Sequence, residues 1–187
     1  MSADASDRTR LLALLTKRSY AKRDVVLTSG RRSDFFVDCK QTVLTAEGHA
    51  LVGAQMLEAL ALLPQPVDAV AGVELGGCPL ASAVSLVSFQ KGKPLDAVYV
   101  RKDAKEHGSK RLLEGDTSFP AGCRIAILED VITTGGSTLK CADKLKDAGY
   151  VVVGVIVLVD RQEGGREAIE AAGYAVVSMF ERSDFPR

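Results

Sequence analysis

The chain has 187 residues, 47% of them hydrophobic, with 24 Lys and Arg balanced by 24 Asp and Glu. That length fits one domain with a substantial core and excludes two full-sized catalytic domains, while the zero net charge gives no global reason for nucleic-acid or membrane-surface binding. No run approaches the roughly 18 apolar residues of a membrane span, and the opening MSADASDRTR lacks the basic and apolar regions of a secretion signal. A cytoplasmic protein is expected, and four scattered cysteines without a CxxC pair suit reduced thiols.

Residues 1–6 are small and polar and are expected to form a frayed tail, with Asp7 placed to cap a helix carrying Leu11, Leu12, Leu14 and Leu15. DVVLTSGRRSDFFVDCK reads as two short strands around a turn at Ser29-Gly30, so residues 7–40 form an N-terminal helix and a hairpin-like element. From Thr45 to Leu63 apolar residues recur at helical spacing and stop at Pro64. Five apolar runs follow, VDAVAGVE, DAVYVRK, CRIAILED, VVVGVIVLVD and YAVVSMF. Helical segments such as ASAVSLVSF and STLKCADKLKDAGY alternate with them. Near-continuous Val, Ile and Ala runs alternating with helices are what a parallel sheet covered on both faces requires. The expected fold is therefore α/β, with a central, mostly parallel five-stranded sheet flanked by helices, and residues 1–187 form a single domain. Ligands of such sheets bind beyond the carboxyl ends of the strands, and every unusual motif here lies at such an end.

The most informative end is RIAILEDVITTGGST. The run RIAIL is expected to deliver Glu129 and Asp130 to the sheet edge, with Thr133, Thr134, Gly135, Gly136 and Ser137 between that edge and the next helix. Glycines let successive N–H groups converge on an anion, and a helix N-terminus and hydroxyls add a favourable dipole and further donors. The carboxylates would repel a phosphate and suit ribose hydroxyls or a phosphate-bound Mg²⁺ instead. Walker-type and dinucleotide fingerprints are both absent.

The stretch AILEDVITTGGST resembles the phosphoribosyl-pyrophosphate motif of the type I phosphoribosyltransferases. The resemblance implies the type I phosphoribosyltransferase fold and a binding segment running through Glu129, Asp130, Val131, Ile132, Thr133, Thr134, Gly135, Gly136 and Ser137. The acids would take the ribose hydroxyls and the loop the 5′-phosphate.

The segment RKDAKEHGSKR carries Arg101, Lys102, Lys105, His107, Lys110 and Arg111 against Asp103 and Glu106, with Gly108 and Ser109 opposing a packed helix. A mobile basic loop of this kind can close over a polyanion and neutralise a departing pyrophosphate. RKDAKEHG is similar to the basic loop of the orotate phosphoribosyltransferases. That likeness implies catalytic roles for Arg101, Lys102, Lys105 and His107, exerted in the partner subunit's site of a homodimer. His49 matches no such pattern and reads as ordinary helix surface or packing.

LTSGRRSDFFVDCK resembles the N-terminal hood element of the same family, implying that Phe35 or Phe36 flanks the pyrimidine. Their adjacency on a strand lets only one of them stack on a ligand. VAGVELGGCPLASA resembles the family's pyrophosphate loop. VLVDRQEGG places Arg161 at a strand end, where its guanidinium could fork onto a carboxylate, and the family likeness assigns Arg161 and Thr133 to orotate. A structural salt bridge of Arg161 with Asp160 or Glu163 is the competing reading.

Two positions depart from the family pattern. Thr28 and Gly76 stand where many relatives have lysine, so the basic loop is expected to supply more of the diphosphate neutralisation. The resemblance implies Mg²⁺ carried by the substrate with no dedicated protein ligands, and a reaction joining orotate to phosphoribosyl pyrophosphate. Alternatives are a purine phosphoribosyltransferase and a non-catalytic, phosphoribosyl-pyrophosphate-sensing regulator. The regulator would want a DNA-reading module, which the neutral charge and short N-terminus do not offer. A fused decarboxylase domain is not expected.

Overall fold

A computed structural model describes residues 3–26, 32–103 and 111–186. Helix α1 (Ala3–Arg18) leads into strands β1 (Tyr20–Val26) and β2 (Arg32–Val37), which pair antiparallel as a separate two-stranded hairpin. Because α1 begins at Ala3, Asp7 lies inside the helix instead of capping it, and the expected frayed tail through residue 6 is shortened. Leu11 and Leu15, one turn apart, are fully buried, while Leu12 and Leu14 pack at the margin of the core. The expected turn at Ser29-Gly30 lies outside the described residues.

The short α2 (Lys40–Val43) precedes α3 (Ala46–Ala59), whose first turn is capped by Thr45 accepting from the Gly48 amide. Then come β3 (Ala69–Val73), α4 (Gly77–Gln90), β4 (Asp96–Val100), β5 (Leu113–Glu114) and β6 (Arg124–Ile132). The chain ends with α5 (Gly136–Asp147), β7 (Val151–Asp160), α6 (Gly165–Ala171) and β8 (Ala175–Glu181).

The main sheet has the order β5-β4-β3-β6-β7-β8. Its five long strands are parallel, as the five apolar runs predict. Among the described residues it is six-stranded rather than five-stranded because β5 adds an antiparallel edge through Tyr99–Glu114 and Val100–Leu113 pairs. Two residues are too few to show a periodicity, so this strand has no signature in the sequence.

Strand alternation divides the core. Ala126, Leu128, Ile156 and Leu158 face a layer that includes Leu11, Val52, Met56 and Leu80 from α1, α3 and α4. Ile125, Ile127, Val155 and Val157 face Cys141 and Leu145 of α5 and Ile169 of α6. Each such fully buried aliphatic side chain contributes roughly 1.5–3 kcal/mol, which is why the strands show no polar alternation. The chain winds outward from β3 to β4, then returns to β6 and winds the other way, leaving a crevice between the carboxyl ends of β3 and β6. All four cysteines are free, and no helix among the described residues is long and apolar enough to cross a membrane.

Candidate active site

Both acids belong to β6, which continues to Ile132 instead of stopping at Leu128. Val131 and Ile132 prolong the apolar run past the acids, and their pairing with Val159 and Asp160 keeps the strand intact. Glu129 therefore shares the face of Ile125 and Ile127, toward α5, and Asp130 the face of Ala126 and Leu128, toward α4.

Glu129 is buried, and its Oε2 accepts from Thr138 Oγ1 at 2.9 Å and from Ser137 Oγ at 3.3 Å. Burial, then the neighbouring Asp130 charge, pushes the Glu129 carboxyl up to about 8. Burial also raises Asp130, opposed chiefly by the Lys40 ammonium. Burial therefore works against the charged form of both carboxyls.

Asp130 is enclosed by two segments. Cys39 Sγ lies 3.6 Å from its main-chain oxygen, and Lys40, anchored 2.7 Å from Asp38, follows directly. On the other side stands Gly76, where a Cβ would lie 2.1 Å from Asp130 Oδ2. A side chain at Gly76 would therefore displace the Asp130 carboxylate from where it stands. The preceding Glu74-Leu75 peptide is cis.

The loop after β6 turns at Gly135, whose φ of 77° and close approach to Gly165 both exclude a side chain. Thr134, Gly136 and Ser137 are exposed at the start of α5, as a phosphate cradle needs. Ile132 is 1% exposed and belongs to the core, so it can offer a ligand only its backbone, and Val131 packs against the other core layer. Ser137, expected on the phosphate, points its hydroxyl at Glu129.

At the other side of the crevice, the Arg101 amide donates to Leu112 O at 2.8 Å, closing the neck of the basic loop, and its guanidinium lies 3.6 Å from Glu114. The Lys102 amide donates to Glu74 Oε2 at 2.9 Å. Lys144 Nζ donates to the carbonyls of Arg101 (2.7 Å) and Lys102 (2.6 Å). A cleft of about 340 Å³ lies between this neck and α5, lined in part by Arg101, Lys102, Ser137, Lys140 and Lys144. Lys105 and His107 lie outside the described residues, as does Thr28.

Phe35 is 3% exposed and packs on Tyr20 and Phe185, with ring centroids 5.2 and 5.3 Å away. Phe36, on the opposite face of β2, is half-buried beneath the Arg23 guanidinium at 3.6 Å. Arg161 is buried and donates from Nη2 to the Phe35 carbonyl at 2.8 Å while lying 3.0 Å from Glu163. The structure thus joins Arg161 to the hairpin, and the competing salt bridge exists with Glu163, whereas Asp160 pairs with Arg166 at 3.3 Å.

Sequence reasoning passed over Thr138, Lys40, Glu74 and Lys144. Thr138 closes the quoted motif and Lys40 the quoted hood stretch, so both leave a faint signal. Glu74 and Lys144 left none, because their partners are set by tertiary placement.

The phosphoribosyl transferase domain family matches residues 49–180. An orotate phosphoribosyltransferase of Sorangium cellulosum is 66% identical over 184 residues, covering 98% of this chain and 95% of its own length. The chain belongs to the orotate phosphoribosyltransferase family. Among solved structures, the orotate phosphoribosyltransferase of Mycobacterium tuberculosis in complex with Fe(III) dicitrate matches with a TM-score of 0.81 and 39% identity, over 95% of this chain and 98% of that one. Its complex with 5-phospho-alpha-D-ribosyl 1-diphosphate matches at 0.77 and 34%, over 97% and 92%. The shared domain begins only at residue 49, whereas the family's match spans nearly the whole chain. The hairpin thus lies outside the stretch that the domain family matches, and Arg161, which ties to it, lies inside.

Proposed function

We propose that this chain transfers the phosphoribosyl group of phosphoribosyl pyrophosphate to N1 of orotate, giving orotidine 5′-monophosphate and pyrophosphate. The N1–C1′ bond forms as the C1′–O bond breaks, the electron pair leaves with pyrophosphate and the N1 proton is released. Thr134 to Ser137 hold the 5′-phosphate, Glu129 and Asp130 the ribose hydroxyls, and Thr133 and Arg161 the base beneath the hood. Phe36 is the aromatic available to flank the pyrimidine, because Phe35 is committed to the core. Arg101, Lys102, Lys105 and His107 meet the charge that develops on pyrophosphate.

Two carboxyl groups are too small a donor set for an all-protein Mg²⁺ cage, and among the described residues no group of three or more His, Cys, Asp and Glu is arranged to hold a metal ion. They fit a Mg²⁺ carried on the substrate, where it would offset diphosphate charge. The working unit is a homodimer in the cytoplasm, with the basic loop reaching the partner's site.

The observation that carries this reading is the meeting of Glu129, Asp130 and the Gly135 turn at the β3–β6 crevice in a chain that matches orotate phosphoribosyltransferases over nearly its full length. The test supplies Mg²⁺ and phosphoribosyl pyrophosphate and follows consumption of orotate, uracil, adenine and hypoxanthine. Orotate alone should be consumed. Turnover of a purine would favour the purine-transferase reading, and binding without turnover of any base would favour the regulator.

A further inference from the structure

The basic segment lies between β4 and β5, and its two described ends meet at a neck where the Arg101 amide donates to Leu112 O. Two side chains from elsewhere grip that neck. Lys144 spends two of its three ammonium donors on the consecutive carbonyls of Arg101 and Lys102, at 2.7 and 2.6 Å. Glu74 takes the Lys102 amide at 2.9 Å. Ordering a lysine side chain costs rotamer entropy, so a two-pronged grip on main chain is not what a solvated helix lysine adopts by default.

The origin of the two grips matters. Lys144 is on α5, two turns beyond Ser137, on the helix whose N-terminus forms the 5′-phosphate cradle. Glu74 follows β3, at the start of the glycine loop that leads into α4. The neck is thus tied to both phosphate-handling elements at once. The Arg101 carbonyl, the Lys102 amide and the Lys102 carbonyl are all held, so the main chain is fixed on both sides of Lys102 relative to its own subunit's core.

We propose that Lys144 and Glu74 are positioning residues, gripping the Arg101–Lys102 neck from α5 and from the glycine loop so that the basic loop's cations arrive on the departing pyrophosphate. This rests on the reading of the basic loop as the leaving group's partner. A positioning role acts on the chemical step, because misplacement of a charge by about 1 Å lowers rate more than ground-state affinity.

The experiment is steady-state kinetics on the full-length enzyme with four variants. Lys144→Met should lower kcat about tenfold with the KM values for both substrates within about twofold of wild type. Lys144→Arg, which keeps charge and donors, should recover at least half of the loss. Lys146→Met, an exposed lysine later on the same helix, should match wild type. Lys105→Ala should lower kcat whether or not Lys144 matters. A Lys144→Met enzyme with kcat within twofold of wild type would overturn the proposal, as would a rise in KM at unchanged kcat, which marks a ground-state anion contact. So would a loss that arginine fails to rescue. If Lys105→Ala also retains full kcat, the reading of the loop falls together with the proposal; if only Lys105→Ala is impaired, the proposal alone falls.

Discussion

Glu129 and Asp130 are neighbours on one strand, yet they live in different surroundings. Glu129 faces α5 and is held by two hydroxyls from one helix, so its position is part of the core. Asp130 faces the crevice between Gly76 and the Cys39-Lys40 corner, held by a close steric fit and tempered by a cation. A period of two, applied to two adjacent acids, gives one carboxyl anchored against α5 and one turned into the crevice.

The largest break in that contrast should come from Gly76→Ala. A methyl 2.1 Å from Asp130 Oδ2 must displace the carboxylate, and kcat/KM for phosphoribosyl pyrophosphate should fall about 10–100-fold, the loss of a charged hydrogen bond. Gly76→Lys should fail to improve activity for the same reason. Wild-type kinetics in Gly76→Ala would show that Asp130 can move freely.

Next comes pH. The Glu129 carboxyl, ordinarily near 4.5, is raised to about 8 in the folded chain, first by burial and then by Asp130. Between those values the folded chain keeps a proton that the unfolded chain has lost. The associated stability is full below about pH 4.5 and is lost as pH rises through about 8, a change on the order of a few kcal/mol. Urea midpoints from pH 5 to 8.5 should decline for the unliganded wild type and flatten in Glu129→Gln. An unchanged slope in that variant would refute the assignment.

Thr138→Val removes the shorter of the Glu129 bonds and should lower stability by about 1–2 kcal/mol, read from the same denaturation curves. Lys40→Met should have the smallest effect. Its ammonium is partly exposed and already paired with Asp38, so solvent screening limits the loss at Asp130 to under about 1 kcal/mol, visible as a modest upward drift of the acidic limb of kcat/KM.

How far the sequence reveals this site follows from the physics of each signal. The five parallel strands are legible because burial on both faces demands continuous apolar runs. The end of β6 is not, because Glu129 and Asp130 look like a boundary while Val131 and Ile132 carry the pairing on. The glycine turn is legible from composition, yet the choice between Ser137 and Thr138 as Glu129's main partner depends on helix phase. Phe35 and Phe36 are legible as one buried and one outward residue, but which is which depends on Tyr20 and Phe185 across the fold. Gly76 reads as a missing cation in the sequence and as room for Asp130 in the structure. Lys144 reads as helix surface because its carbonyl partners come from a distant segment.

The most direct test of the division between the two acids is the kcat/KM for phosphoribosyl pyrophosphate of Asp130→Asn, with orotate saturating, measured beside its thermal midpoint. Asp130→Asn should lose at least about tenfold in kcat/KM while keeping or raising its thermal midpoint, because a buried, crevice-facing carboxyl has been neutralised. Wild-type kcat/KM in Asp130→Asn, or a loss that merely follows unfolding, would contradict the account.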